Sequence, residues 1–399
     1  MLDSHAQQLR LRSGALFSSF DRFTIPPLLV PIHQAFHVPL GTAALVASFY
    51  FIAYGVSQPF WGALADRFGR VPVIRSSIVA GGICCVIAAL APTFLILLLA
   101  RTFGGICCAA LVPTVVTYVG DTVPVQKRQH ALTLTIASSS AGAAIGTLSA
   151  GVSVQLLDWR LAFAVSAVLA IIVSIYVANL PEPHRIRSEH SFLRQAATAV
   201  RRPWVLVVLG IGMVEGVIIL GSLTFISASL QDQGVSAAIA GSAAAGFGIA
   251  NVCCVPVVIR AIKRFASPWL ITAGGVLAAA GLLAAAVNPL VITALAAAMA
   301  LGAGFGFFHP VMQLWATQVY PEARAVTVAS FAGALFIGGA IASAGAAPLA
   351  DAREFDTIFI ASATCALALA TGGAWLRARY LRSVHPPTPL AGEEVAAPL

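Results

Sequence analysis

Gly62-Ala63-Leu64-Ala65-Asp66-Arg67-Phe68-Gly69-Arg70 sets charge and two glycines between two long apolar runs. An uncharged segment extends from about Gly41 to Leu64, and the next begins at about Val71. A helix needs about 20 apolar residues to cross the hydrocarbon of a bilayer, and the runs on either side of this stretch are that long. The nine residues therefore read as a tight turn at a membrane surface. Gly62 permits close helix approach and Gly69 a sharp turn, both difficult for residues with side chains.

The rest of the chain repeats this pattern. Of 399 residues, 59% are hydrophobic and 10% charged, and the mean hydropathy is +0.91, above what a soluble globular domain carries. Twelve apolar runs lie near 14–34, 41–62, 72–91, 95–118, 131–155, 160–180, 204–228, 236–259, 268–287, 290–316, 324–349 and 356–376. The run at the N-terminus follows Arg10 and Arg12 but contains Asp21, Arg22, Pro26, Pro27 and Pro31, so it reads as a retained first span and not a cleaved signal.

A net charge of +8 does not imply nucleic acid, because the bases follow loop parity. Nineteen of the 23 Lys and Arg residues fall at the two termini and in alternate loops, while Arg160 and Arg353 alone occupy the other loops. By the positive-inside rule both termini and the 62–70 loop are expected in the cytoplasm of a multi-pass protein of a plasma membrane, in a bacterium the inner one. The seven cysteines, Cys84, Cys85, Cys107, Cys108, Cys253, Cys254 and Cys365, lie within spans without zinc-ligand spacing. They read as small packing residues, and neither metal nor cofactor is expected. With no His/Glu metal pair and no serine beside a base, an intramembrane enzyme is not expected either.

Sliding the chain by 197 residues superimposes Pro59 on Pro256, Pro92 on Pro289, Pro113 on Pro310 and Pro124 on Pro321. Random placement would give roughly half of one such match. Arg67-Phe68 falls on Arg264-Phe265, Gly105 on Gly302 and Gly142 on Gly339, in a register without gaps from span 2 through span 5. The expected fold is an all-α membrane protein of twelve transmembrane helices in two parallel six-helix pseudo-repeats, residues 1–180 and 204–380. A polar, basic cytoplasmic linker (181–203) joins them, and a Pro-rich disordered tail (381–399) follows.

Gly62-x-x-x-Asp66-Arg67-x-Gly69-Arg70 resembles the signature loop of the major facilitator superfamily, degraded in the second half to Ile259-Arg260-Ala261-Ile262-Lys263-Arg264-Phe265. Arg101-x-x-x-Gly105, Asp121 with Pro124 and Arg128, and Asp158-Trp159-Arg160-x-x-Phe163 resemble further positions of that family, and the resemblance covers about residues 12–380. It implies a secondary transporter working by alternating access, with its site between the repeats near mid-membrane. Gly142-Ala143-Ala144-Ile145-Gly146-Thr147-Leu148-Ser149-Ala150-Gly151 is similar to the glycine-rich motif of drug/proton antiporters, departing from it at Thr147, where that motif has proline. The resemblance thus implies proton-coupled efflux of small lipophilic or mildly polar molecules. Proton-coupled uptake of a sugar or organic acid uses the same parts, and a transporter-like membrane sensor is the reading from another class. The expected partners are protons, a small-molecule substrate and the bilayer, with the chain acting as a monomer.

Gly62, Asp66, Arg67, Gly69, Arg70, Asp121 and Arg128 are the expected gating residues. Span 11 starts on the same surface as Asp66, and a carboxylate near a helix N-terminus gains about 0.3 to 1 kcal/mol. Asp66, Arg70 and Asp121 are therefore expected to latch one half to the other when the cytoplasmic side closes. Charges inside spans cost about 2.5 to 3.5 kcal/mol at the helix centre and mark functional sites. Here they are Asp21, Arg22, Arg101 and Glu215, with Glu215 nearest mid-membrane. Low dielectric favours the neutral form of a carboxylate, which suits proton coupling by Glu215, Asp21 and Arg101. Because spans 1 and 7 are expected to line the cavity, Asp21 and Glu215 are placed on opposite walls. Arg101 is expected to pair with one of them, and Arg22 reads as snorkelling to the interface. Phe17, Tyr50, Tyr54, Phe225 and Phe305 are candidates for an apolar cavity floor. His309, beside Pro310, is a candidate relay or a packed polar residue.

Overall fold

The computed structural model describes residues 4–183, 198–199 and 201–384, and all regular structure among them is helical. The interior of the expected linker (184–197) and the expected tail beyond 384 lie outside the described residues. Eleven helical stretches among the described residues are long and apolar enough to cross a membrane. In chain order they are Leu40–Phe68, Arg70–Ala89, Phe94–Thr122, Gln126–Leu156, Trp159–Val177, Pro203–Asp232, Ala237–Arg264, Ser267–Val287, Val291–Gln318, Pro321–Gly345 and Phe355–Val384. These are spans 2 to 12.

Span 1 is composite. Helix Ser4–Phe23 is followed by a 3-10 turn at Pro26–Leu28 and a short helix Leu29–Phe36. The cause is local: Pro27 and Pro31 have no N–H, so the carbonyls four residues earlier, on Phe23 and Pro27, lose their helical donors. Within hydrocarbon such groups must be satisfied by other parts of the protein. Thr147 Oγ1 on span 5 donates to Phe23 O at 2.9 Å, and Gln231 Nε2 on span 7 donates to Pro27 O at 3.0 Å. Thr147, the departure from the antiporter-like motif, thus holds the break in span 1.

The sequence repeat is a structural one. Shifted by 197 residues, the starts of spans 2, 3 and 4 at 40, 70 and 94 fall on 237, 267 and 291, where spans 8, 9 and 10 begin. Contacts repeat as well. A β-carbon at Gly105 would lie 2.5 Å from Tyr50 O, and one at Gly302 would overlap Phe247 O, each residue of the second pair being 197 positions after its counterpart. In lipid no hydrophobic force drives helices together, so backbone approach at small residues supplies the packing. The register does not persist through span 11. Gly142 packs on Leu16 O, but the equivalent Met213 O receives Gly338 and not Gly339. Span 11 opens with a 3-10 turn at Pro321–Ala323. Such a turn rises about 2.0 Å per residue against 1.5 Å in an α-helix, so three residues cover the length of four. One residue fewer is needed there.

The turn at 62–70 is as short as a turn can be. Gly69 alone separates spans 2 and 3, at φ 106, a backbone conformation that side-chained residues avoid.

The halves meet along spans 2 and 11 and along spans 5 and 8. A β-carbon at Gly55 would lie 2.6 Å from Gly333 O, and one at Gly248 would lie 2.5 Å from Ser140 O. At the end away from the basic loops, Gly41 N, in the first turn of span 2, donates to Asp351 Oδ1 across the seam at 2.7 Å. Gln231 crosses the seam near the same end. The molecule is therefore held shut at the end opposite its basic loops.

If these glycine contacts set the packing, Gly105→Leu and Gly302→Leu each destabilise the purified protein by about 1 to 3 kcal/mol, the usual cost of overpacking. Gly210→Leu, where nothing lies within 4 Å of an added β-carbon, leaves thermal unfolding in detergent unchanged.

Candidate functional site

The first half encloses a complete ion pair. Arg101 NH1 donates to Asp21 Oδ1 at 2.6 Å, and NH2 donates to Asp21 Oδ2 at 3.2 Å and to its carbonyl at 3.1 Å. Both side chains are shut off from solvent. Cys85 Sγ approaches Oδ1 at 3.2 Å and Cys108 Sγ approaches Oδ2 at 3.8 Å. The rings of Tyr50 and Phe163 cover the guanidinium at 4.6 and 5.1 Å. Spans 1, 2, 3, 4 and 6 are thereby tied around one neutral pair.

The second half carries a different pair. Glu215 Oε1 and His309 Nδ1 are 2.5 Å apart, joining span 7 to span 10. Glu215 is fully buried and its Oε2 has no hydrogen-bond partner. The His309 side chain keeps 22% of its surface exposed, so the pair meets solvent on the imidazole side. Immediately after Glu215 the helix widens into a π turn, Val217–Gly221, a feature that concentrates at functional sites. Gly212 and Gly216 press on Phe331 and the Leu335 backbone of span 11, which fixes the face that Glu215 presents to span 10.

A third charge stands at the seam. Arg22 does not reach for an interface: its guanidinium lies over Tyr54 at 5.3 Å and over Phe336 at 5.0 Å, residues near the midpoints of helices Leu40–Phe68 and Arg324–Gly345. Its own hydrogen bond goes to Ser19 Oγ at 3.0 Å, and Ser19 Oγ is 2.5 Å from Ser139 Oγ on span 5. Rings continue from there into the second half. Phe23 stacks on Phe247 (5.6 Å), Phe247 meets Phe305 (5.9 Å), and Phe305 stacks on His309 (4.4 Å).

Of the aromatic candidates, Tyr54, Phe305 and His309 lie along this seam. Phe17 and Tyr50 are buried inside the first half, and Phe225 is buried within span 7. Of the gating candidates, Arg70 bonds Asp66 at 2.5 Å and Asp121 at 3.3 Å. Arg67 instead stacks over Phe68, Arg128 NH2 turns back to Val123 O, and Gly62 lies in the last turns of span 2. One participant escaped the sequence reading. Glu182 accepts from Arg70 N at 2.7 Å and Val71 N at 2.8 Å, capping span 3. Arg22 was detectable as surplus, since the spans of the first half hold two arginines, Arg22 and Arg101, and one acid, Asp21.

The family model described as Major Facilitator Superfamily matches twice, over residues 13–230 and 208–399. The chain belongs to the major facilitator superfamily. The two matches overlap over residues 208–230, within span 7. Among solved structures this superfamily member is similar to the nucleoside transporter NupG, with a TM-score of 0.78 at 13% identity, covering 92% of this chain and 98% of that one. Among curated relatives it is similar to the MFS-type transporter YybF of Bacillus subtilis (strain 168), 29% identical over 160 residues and 40% of each chain. It also resembles the puromycin resistance protein pur8 of Streptomyces alboniger, 32% identical over 142 residues, 35% of this chain and 28% of that one. The chain thus spans two fifths or less of the length of these two curated relatives. It is a multi-pass membrane protein of that family.

Breaking the buried pair on one side leaves an uncompensated charge, at about 3 to 5 kcal/mol. Asp21→Leu and Arg101→Leu in this superfamily member each lower thermal stability by that order. The double variant recovers most of the loss, as read in a double-mutant cycle.

Proposed function

We propose that the transporter couples substrate movement to a proton carried by Glu215 and His309. The observation that carries this is the mid-membrane pair itself: a fully buried carboxyl with one unpartnered oxygen, bonded to an imidazole that touches solvent. A carboxyl in such surroundings is cheap to bury when protonated and costly when ionised. Exposing the pair to one side and then the other moves a proton across. Asp21 and Arg101 serve this cycle by keeping the first half rigid and neutral around span 1.

The first reading of direction is efflux by proton antiport of small lipophilic or mildly polar molecules. The relation to pur8 supports it, as does the glycine-rich stretch of span 5, and the ring-lined seam suits such cargo. In this reading the basic end is cytoplasmic in a bacterial inner membrane, and the structure is the state open to the cytoplasm. Asp66, Arg70 and Asp121 then close that end in the alternate state, Glu182 holding Arg70 in readiness. A second reading, proton symport of a small organic acid, is favoured by one observation: no ion pair among the described residues includes Arg22.

Two experiments test the proposal. In everted vesicles with an acidified lumen, a transported compound releases protons through the wild type and not through Glu215→Gln; cells expressing the two proteins and challenged with puromycin and a panel of other toxic compounds differ accordingly. Equal protection by both variants removes Glu215 from the proton path. For the latch, Asp66→Asn raises labelling of a cysteine placed inside the basic end. Unchanged labelling with normal transport removes Asp66 from the gate.

A further inference from the structure

Three ionisable sites lie at mid-membrane, and two of them form ion pairs within their own half. Asp21 is taken by Arg101 and Glu215 by His309. Arg22 is the remainder. A guanidinium stays charged at any pH a cell reaches and carries five N–H donors in one plane. Here the described partners are the Ser19 hydroxyl, the Tyr54 side chain by hydrogen bond and ring face, and the ring faces of Phe23 and Phe336. Ring faces attract the cation but accept nothing in the plane of its N–H groups. Arg22 Nε is buried without an acceptor. The neighbouring Asp21 gives no help, because adjacent positions on a helix point about 100° apart and its carboxylate is fully used on the far side.

We propose that Arg22 is an anion-binding group at the seam, and that the transported substrates carry a carboxylate beside a flat or chain-like apolar body. The fork of a guanidinium matches the two oxygens of a carboxylate, and such bidentate contacts are both stronger and more specific than single ones. Ser19, itself held by Ser139 of span 5, sets the orientation of the fork. Phe336 belongs to the second half, so an anion seated on Arg22 bears on both halves at the point where they separate. The rings from Phe23 through Phe247 and Phe305 to His309 give the apolar body a continuous surface towards the proton site.

This inference rests on the transporter reading, but neither on its direction nor on Glu215. The test uses the purified full chain in detergent and matched pairs of probes differing only in charge: benzoate and benzamide, indole-3-acetate and indole-3-acetamide, hexanoate and hexanamide. Binding is followed by thermal shift and calorimetry. For at least one pair the carboxylate binds roughly tenfold or more tightly than its amide, the scale expected of a charge-assisted hydrogen bond. That preference disappears in Arg22→Gln, survives in part in Arg22→Lys, and is intact in Glu215→Gln. No preference in any pair with the wild type overturns the proposal, as does a preference that persists in Arg22→Gln. Loss of proton movement in none of the variants, with the carboxylate preference intact, would sink the Glu215 assignment and leave this one standing.

Discussion

A charge placed in the middle of an apolar slab has to be met by the protein itself, since the surrounding lipid offers neither counter-ion nor hydrogen bond. Each half of this superfamily member meets that demand differently. The first neutralises Asp21 with Arg101 in a geometry that leaves both side chains dry and fixed. The second sets Glu215 against His309, a base that is charged only when protonated. One pair is closed to solvent on both sides, while the other reaches solvent through its imidazole. Arg22, at the seam between them, is met by aromatic faces and a serine.

The same demand shapes the backbone. Prolines in span 1 free carbonyls that a continuous helix would have satisfied, and donors from spans 5 and 7 replace the missing ones. Because Gln231 belongs to the other half, the break in span 1 also contributes to closure at that end. Asp351 acts likewise on the first turn of span 2. Between spans 5 and 8 Asn251 Nδ2 donates to Ser140 Oγ at 2.9 Å, and elsewhere the halves touch through ring faces and glycine-to-backbone contacts, which hold by close fit. Such a seam suits two rigid halves rocking about a central site.

Much of this was legible in the residues alone. Apolar runs long enough to span, glycine at a one-residue turn and the proline spacing of 197 are properties of neighbours in sequence, and each reappears as an element or a repeated contact. The cluster of Asp66, Arg70 and Asp121 was legible because its motif is compact and its turn leaves few places for the charges to go. Glu182 was not, since only the fold returns residue 182 to the start of span 3. The one-residue slip in span 11 was hidden as well: Gly338 and Gly339 are adjacent, and which of them meets span 7 depends on the rise of a 3-10 turn.

What the sequence determined by itself is the number of crossings, their division into two alike halves, and the identity of the few charges that enter the membrane, because each follows from composition and period along the chain. Only the tertiary structure decided how those charges pair. Asp21 and Arg22 are adjacent in sequence and similar in depth, yet one is buried against Arg101 and the other lies against Phe336 of the opposite half. The physical reason is that successive side chains leave a helix in different directions, and what each then meets is set by helices brought alongside from 80 to more than 300 residues away. The glycine-marked turn from Gly62 to Arg70 announces a membrane fold; the partners of its few buried charges are decided only when the helices assemble.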